Sequence, residues 1–125
     1  MGYFDDGIHN AKIISTHLGP EYHGIFSSTL YLDYGGTQQG FGGYALDSKP
    51  DTHGGDRVPH IALAVWVYRI LEVLKIDGWE KLPGTPCRAK LEHGRVVAIG
   101  NYLEDLWFNP AEEFKAFKDK EQVNE

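Results

Sequence analysis

The chain has 125 residues, 15 glycines, 13% aromatic residues and a formal net charge of −6. This length suits a single domain, and a lone cysteine, Cys87, excludes an internal disulfide. The acidic balance argues against binding to polymeric nucleic acid, which needs many cationic contacts to phosphates. The sequence has no apolar run that could span a bilayer and no signal-peptide pattern, so it predicts a soluble intracellular protein.

The charge is unevenly distributed along the chain. Most of the negative charge lies after residue 103, whereas Lys81, Arg88, Lys90 and Arg95 lie close together in the preceding segment. A compact anion site is therefore compatible with the acidic total, although solvated charges on a strand face would give the same pattern.

The first half of the chain predicts three strands. Residues 11–18 form the first, and residues 25–34 form the clearest one, because apolar side chains alternate with polar ones along it. Residues 38–46 are expected to return beside that strand, and a loop rich in turn-forming residues follows at 47–56.

The strongest helix prediction covers residues 58–76. Pro59 suits the first turn and Asp56 is a possible cap. The apolar surface of this helix is wider than one small sheet usually covers. Either the sheet wraps around the helix or the helix also packs against a second subunit, and we favour self-association.

A hairpin and a short helix complete the predicted domain. The hairpin joins residues 85–92 and 95–101 through His93 and Gly94, and the helix covers 111–118. The fold class is therefore α+β, with a small antiparallel β-sheet packed on one long central α-helix and a short C-terminal helix, in a homo-oligomer. We expect a flexible N-terminus at 1–10, a single domain at 11–118 and a frayed acidic tail at 119–125.

No pattern typical of a metal or catalytic site is present. The six histidines do not lie at spacings that place two on one helical face, and no cofactor motif occurs. Cys87 alternates with polar residues and is expected to be buried. The sequence thus favours a binding protein over an enzyme. Two alternatives stay open: a small nucleotide hydrolase that uses His17, His23 or Asp33, and an inhibitor that binds a host protein through an exposed part of the apolar helix.

Two glycine-rich segments have both a structural and a functional interpretation. The run at 35–43 either relieves crowding in a hairpin or lets a ligand approach the backbone closely, with Phe41 or Tyr44 stacking on a flat ring. Residues 54–57 are either a plain capped turn or a phosphate site at a helix start, with Arg57 beside the ligand.

Four short segments carry a resemblance to a known family. They are ISTHLG at 14–19, GFGGYALD at 40–47, WEKLPG at 79–84 and IGNYLEDLWF at 99–108. Over residues 11–110 the chain resembles the phage Thoeris anti-defence proteins of the first type. The resemblance implies that the protein binds and sequesters a cyclic ADP-ribose isomer such as glyco-cyclic ADP-ribose, without cleaving it, in the cytoplasm of a host bacterium.

The resemblance also implies a homo-oligomer, a dimer or a hexamer, whose subunits form the pockets together. A cyclic oligonucleotide is a possible second ligand, although the sequence after Arg57 departs from the family pattern. A cyclic ADP-ribose isomer requires aromatic stacking, cations for phosphates and polar groups for hydroxyls. The candidate binding residues are Phe41, Gly42, Gly43, Tyr44, Arg57, Trp79, Arg88, Arg95, Asn101, Asp105 and Trp107, with no catalytic or metal residue and no cofactor.

Overall fold

The computed structural model describes residues 6–49 and 56–123, and for Tyr22 and residues 118–123 it describes the backbone alone. These residues form two helices and eight strands, in chain order β1 (Gly7–Pro20), β2 (Phe26–Tyr34), β3 (Thr37–Gly42), β4 (Asp47–Ser48), β5 (Val58–Pro59), α1 (Ile61–Leu74), β6 (Pro86–Glu92), β7 (Arg95–Gly100), β8 (Trp107–Phe108) and α2 (Pro110–Val123). Short 3-10 turns occur at Tyr22–Gly24 and Trp79–Lys81.

Six strands form one antiparallel sheet in the order β3-β2-β1-β6-β7-β8, and β4 pairs with β5 separately. The α+β class, the antiparallel sheet and the two helices are therefore confirmed. The homo-oligomer stays a prediction.

Side-chain alternation fixes which face of the sheet is buried. In β2, Leu30 and Leu32 are buried whereas Tyr31 between them is exposed. In β6, Cys87 and Ala89 point to the same core and the side chain between them points outward. The predicted faces of both strands are confirmed.

The sheet curls around helix α1. The side chain of Gln39 in β3 donates a hydrogen bond of 2.7 Å to the carbonyl of Gly94, in the turn between β6 and β7. Trp66 of α1 stacks on Phe41 of β3 and packs edge-on against Phe108 of β8, so it contacts both edge strands. The buried stripe of α1 is thus covered within the chain, as expected for a sheet that wraps around its helix.

The ends of α1 differ from the prediction. The helix begins at Ile61, because Val58 and Pro59 pair with β4 instead of forming a first turn. The cap is His60, whose Nδ1 accepts a hydrogen bond of 3.0 Å from the backbone N–H of Ala62, so the predicted Asp56 cap is wrong. The helix ends at Leu74, two residues before the predicted end.

The predicted chain ends also need correction. Strand β1 begins at Gly7, which pairs with Leu91 of β6, so residues 7–10 belong to the sheet and not to a flexible N-terminus. Helix α2 continues to Val123 and includes part of the predicted tail. Residues 1–5, 50–55 and 124–125 lie outside the described residues. Most of the predicted loop at 47–56 and the glycines of the candidate phosphate site at 54–57 therefore lie outside them as well.

The hairpin prediction at His93 and Gly94 is confirmed. Both residues have positive φ angles, 54° and 74°, as a two-residue turn of type I′ requires. Their backbone N–H groups donate to the carboxylate of Asp6, which lowers the pKa of that carboxyl. This turn holds the start of β1 against the hairpin.

Candidate functional site

Four of the predicted binding residues come together at the end of β7. The guanidinium carbon of Arg88 lies 4.9 Å from the centroid of the Trp107 ring. Arg88 also donates hydrogen bonds of 2.8 Å to the carbonyls of Asn101 and Glu104. The Trp107 indole N–H donates to Asp105 over 2.9 Å. We call the segment 101–106 the Asn101 loop.

Asn101 holds this loop from the inside. Its side-chain nitrogen donates to the carbonyl of Val73 in α1 over 2.8 Å, and its Oδ1 accepts from the backbone N–H groups of Leu103 and Glu104. Gly100 lies under the Trp107 ring, where an added Cβ would come within 2.6 Å of it. These contacts, which include one to helix α1, fix both the loop and the ring.

The loop presents apolar side chains to solvent from this fixed base. Leu103 is 87% exposed and Tyr102 is 43% exposed. Because Arg88 and Asn101 already bond to the loop backbone, their contribution within the chain is to hold it in place. Their predicted contacts to ligand stay predictions.

The second predicted group surrounds the glycine run. Phe41 is fully buried against Trp66, with ring centroids 5.2 Å apart, so it belongs to the core. Gly42 has a φ of 126°, and a Cβ there would lie 2.4 Å from the carbonyl of Ser28. The structural interpretation, in which glycine relieves crowding in the hairpin, therefore applies to Gly42. Gly43 has open space beside it.

Tyr44 borders a small cavity. It packs edge-on against Phe114 of α2 and lines a cavity of about 180 Å³ together with Asp47 and His60. Burial raises the pKa of its hydroxyl, and the nearby charge of Arg95 opposes that shift. The cavity is below the usual size of a pocket for a drug-sized ligand, roughly 300 Å³ or more.

The remaining predicted residues lie apart from one another. Arg57 makes a bidentate pair with Asp47, with distances of 2.6 and 2.9 Å, and this pairing lowers the pKa of the Asp47 carboxyl. Trp79 lies in a 3-10 turn and packs against the core. Within the described part of the chain, Arg95 has neither an ion pair nor a hydrogen bond from its side chain.

A further open space lies on the outer face of the sheet, where the sequence predicted no site. We call it the outer recess, and its volume is about 900 Å³. A bulge in β1 between Ile13 and Ser15 interrupts the pairing with β2 beside it. The lining residues are Asn10, Ala11, Lys12, Ile13, Ile14, Asp33, Gln38, Gly84, Pro86 and Tyr102.

A polar row crosses the recess on three adjacent strands. Lys12 of β1 is in register with Asp33 of β2, which is in register with Gln38 of β3. Asp33 Oδ1 accepts a hydrogen bond of 3.1 Å from the N–H of Gly36, whereas its second oxygen has no such bond among the described residues. The Lys12 side chain has no ion pair within the described residues. Tyr102, a residue of the Asn101 loop, also lines the recess.

The alternation of apolar and polar residues along β1 and β2 predicts that Lys12 and Asp33 point outward from the sheet. The strand register that makes them neighbours depends on the bulge in β1, which no residue pattern marks. The recess was missed for that reason.

The described residues contain no cluster of three or more metal-ligating side chains. Cys87 is buried as predicted, and burial raises the pKa of its thiol to about 12. His17 Nε2 lies 3.4 Å from Oε1 of Glu21, and the two form an ion pair when the imidazole is protonated.

Comparison of the chain with protein-family models, with curated proteins and with solved structures gives no match. The resemblance to the anti-defence family therefore stays a prediction. Among the described helices, none is long and apolar enough to cross a membrane.

Proposed function

We propose that this protein binds and sequesters a cyclic nucleotide signal, a cyclic ADP-ribose isomer, without cleaving it. The observation that carries the proposal is the outer recess, with its volume of about 900 Å³ and its row of Lys12, Asp33 and Gln38. The family resemblance supplies the ligand class.

The size and chemistry of the recess support this proposal. Its volume lies within the range of roughly 300–1,000 Å³ that is usual for small-molecule sites. An ammonium group suits a phosphate, a carboxylate suits sugar hydroxyls, and carboxamides suit the edge of a base. The phenol ring of Tyr102 offers a flat surface at the side of the recess.

The biological setting in this proposal follows from the family resemblance. The protein is phage-encoded and acts in the cytoplasm of the host bacterium, where removal of the signal blocks Thoeris-type immunity. It acts as a homo-oligomer, a dimer or a hexamer, with a cyclic oligonucleotide as a possible further ligand. It uses no cofactor, and neither polymeric nucleic acid nor a membrane is among its partners.

A release experiment separates binding from catalysis. The protein is incubated with glyco-cyclic ADP-ribose, free ligand is removed, and the complex is denatured by heat. Intact ligand in the supernatant supports sequestration, whereas a linear product supports the alternative of a nucleotide hydrolase. A complex without ligand contradicts sequestration but not hydrolysis, because a hydrolase releases its product into the fraction that is removed.

The exposed surface of α1 favours a second candidate function, inhibition of a host protein. Ile61 is 56% exposed and Tyr68 is 69% exposed on this helix. Co-purification of a host protein that Tyr68→Glu abolishes, together with no heat of binding for any cyclic nucleotide, would support this function instead.

A further inference from the structure

The polar row of the outer recess places three different groups in a fixed order. Adjacent strands in a sheet lie about 4.8 Å apart, so neighbouring members of the row are separated by one strand spacing and the outer two by about twice that. Lys12 and Gln38 therefore flank Asp33, and the order is cation, carboxylate, carboxamide.

Two groups in this row are available to a ligand. The Lys12 ammonium has no ion pair among the described residues, although Asp33 is its neighbour on the next strand. One oxygen of Asp33 is held by Gly36, which fixes the carboxylate and leaves its other oxygen as an acceptor. A fixed acceptor, beside a cation that has no ion pair among the described residues, suits a hydroxyl donor that lies next to a phosphate.

From this arrangement we infer that Asp33 reads the vicinal hydroxyls of a ribose while Lys12 pairs with the adjoining phosphate. The ligand class is thus a ribose phosphate whose vicinal diol is free, and Asp33 determines specificity for that diol. This inference rests on the proposed function and deepens it.

The test compares two probes and matched variants. The probes are a cyclic ADP-ribose isomer with a free vicinal diol and its analogue with one of those hydroxyls replaced by hydrogen. The variants are Asp33→Asn, which keeps an acceptor for Gly36, and Lys12→Met. Lys90→Met is the control, because Lys90 lies on the outer face of β6 but outside the recess lining.

Isothermal titration gives the affinity, and circular dichroism confirms that each variant is folded. We expect the wild type to bind the diol probe at least tenfold more tightly than its analogue, and Asp33→Asn to remove most of this preference. Lys12→Met is expected to weaken both probes about equally, and Lys90→Met to change neither.

Equal binding of both probes by the wild type, or an unchanged preference in Asp33→Asn, would overturn the inference while the proposed function stands. Failure of the wild type to bind either probe would instead contradict the proposed function, and the inference with it.

Discussion

The guanidinium of Arg88 lies over the ring of Trp107, 4.9 Å from its centroid, and bonds to two carbonyls of the Asn101 loop. One side chain of β6 therefore fixes both the loop that borders the outer recess and the strand that follows it. The loop in turn positions Tyr102 at the recess.

Loss of Arg88 is expected to destabilise the protein through this loop. Arg88→Ala removes two charged hydrogen bonds and a cation–π contact, and should lower the free energy of unfolding by about 1.5–3 kcal/mol. Urea denaturation measures this change. Lys90→Ala on the same face of β6 is the matched control and should change stability by no more than about 0.5 kcal/mol. Equal effects in the two variants would show that Arg88 does not support the loop.

Loss of Asn101 is expected to destabilise the protein more than loss of Asn109, which caps the start of α2. Asn101→Ala leaves the Val73 carbonyl and two loop N–H groups without their partner, and should cost about 2–4 kcal/mol. Asn109→Ala removes one capping bond to Glu112 and should cost about 1 kcal/mol. Thermal or urea unfolding compares the two variants. A smaller cost for Asn101→Ala than for Asn109→Ala would contradict the assigned role.

The two adjacent glycines at the end of β3 should respond differently to alanine. At Gly42 a Cβ would meet both the carbonyl of Ser28 and the ring of Trp66, at 2.4 and 2.8 Å, so Gly42→Ala should cost more than about 3 kcal/mol or prevent folding. At Gly43 the space is open and the cost is the positive φ alone, about 1 kcal/mol. Soluble yield and urea denaturation of the two variants check this order, and equal stability would refute it.

The pairing of Asp47 with Arg57 predicts a definite pH dependence. The pKa of the Asp47 carboxyl is lowered in the folded protein, chiefly by its bonds with Arg57 and then by the Phe26 N–H. The pair therefore stabilises the fold above the usual aspartate pKa, and this stabilisation is lost as the pH falls through the lowered value.

Urea denaturation of the wild type and of Asp47→Asn across this range tests the sign. The difference in unfolding free energy between the wild type and Asp47→Asn should be largest near pH 7 and shrink toward pH 2. Introducing Arg57→Gln into both proteins should reduce this difference at pH 7. A difference that grows on acidification would contradict the assigned pairing.

Much of the fold was predictable because local patterns determine it. The alternation around Leu30 and Leu32 and the turn at His93 and Gly94 each depend on neighbouring residues alone. The start of α1 was not predictable in the same way, because Val58 and Pro59 pair with Asp47 and Ser48 across the chain. That pairing removes both residues from the helix.

The candidate site was predicted less well for a related reason. Residue type suggested Arg88 and Asn101 as ligand contacts, but the structure shows that the loop they contact uses their hydrogen-bonding groups. The row of Lys12, Asp33 and Gln38 consists of ordinary surface residues, and only the strand register brings them together.

Isothermal titration of the wild-type protein with glyco-cyclic ADP-ribose, followed by heat release and identification of the released nucleotide, tests sequestration in the outer recess most directly. We predict saturable binding, recovery of the intact nucleotide, and at least a tenfold loss of affinity in Lys12→Met but not in Lys90→Met. The absence of binding, or recovery of a linear product, would contradict sequestration, and unchanged affinity in Lys12→Met would contradict its location in the recess.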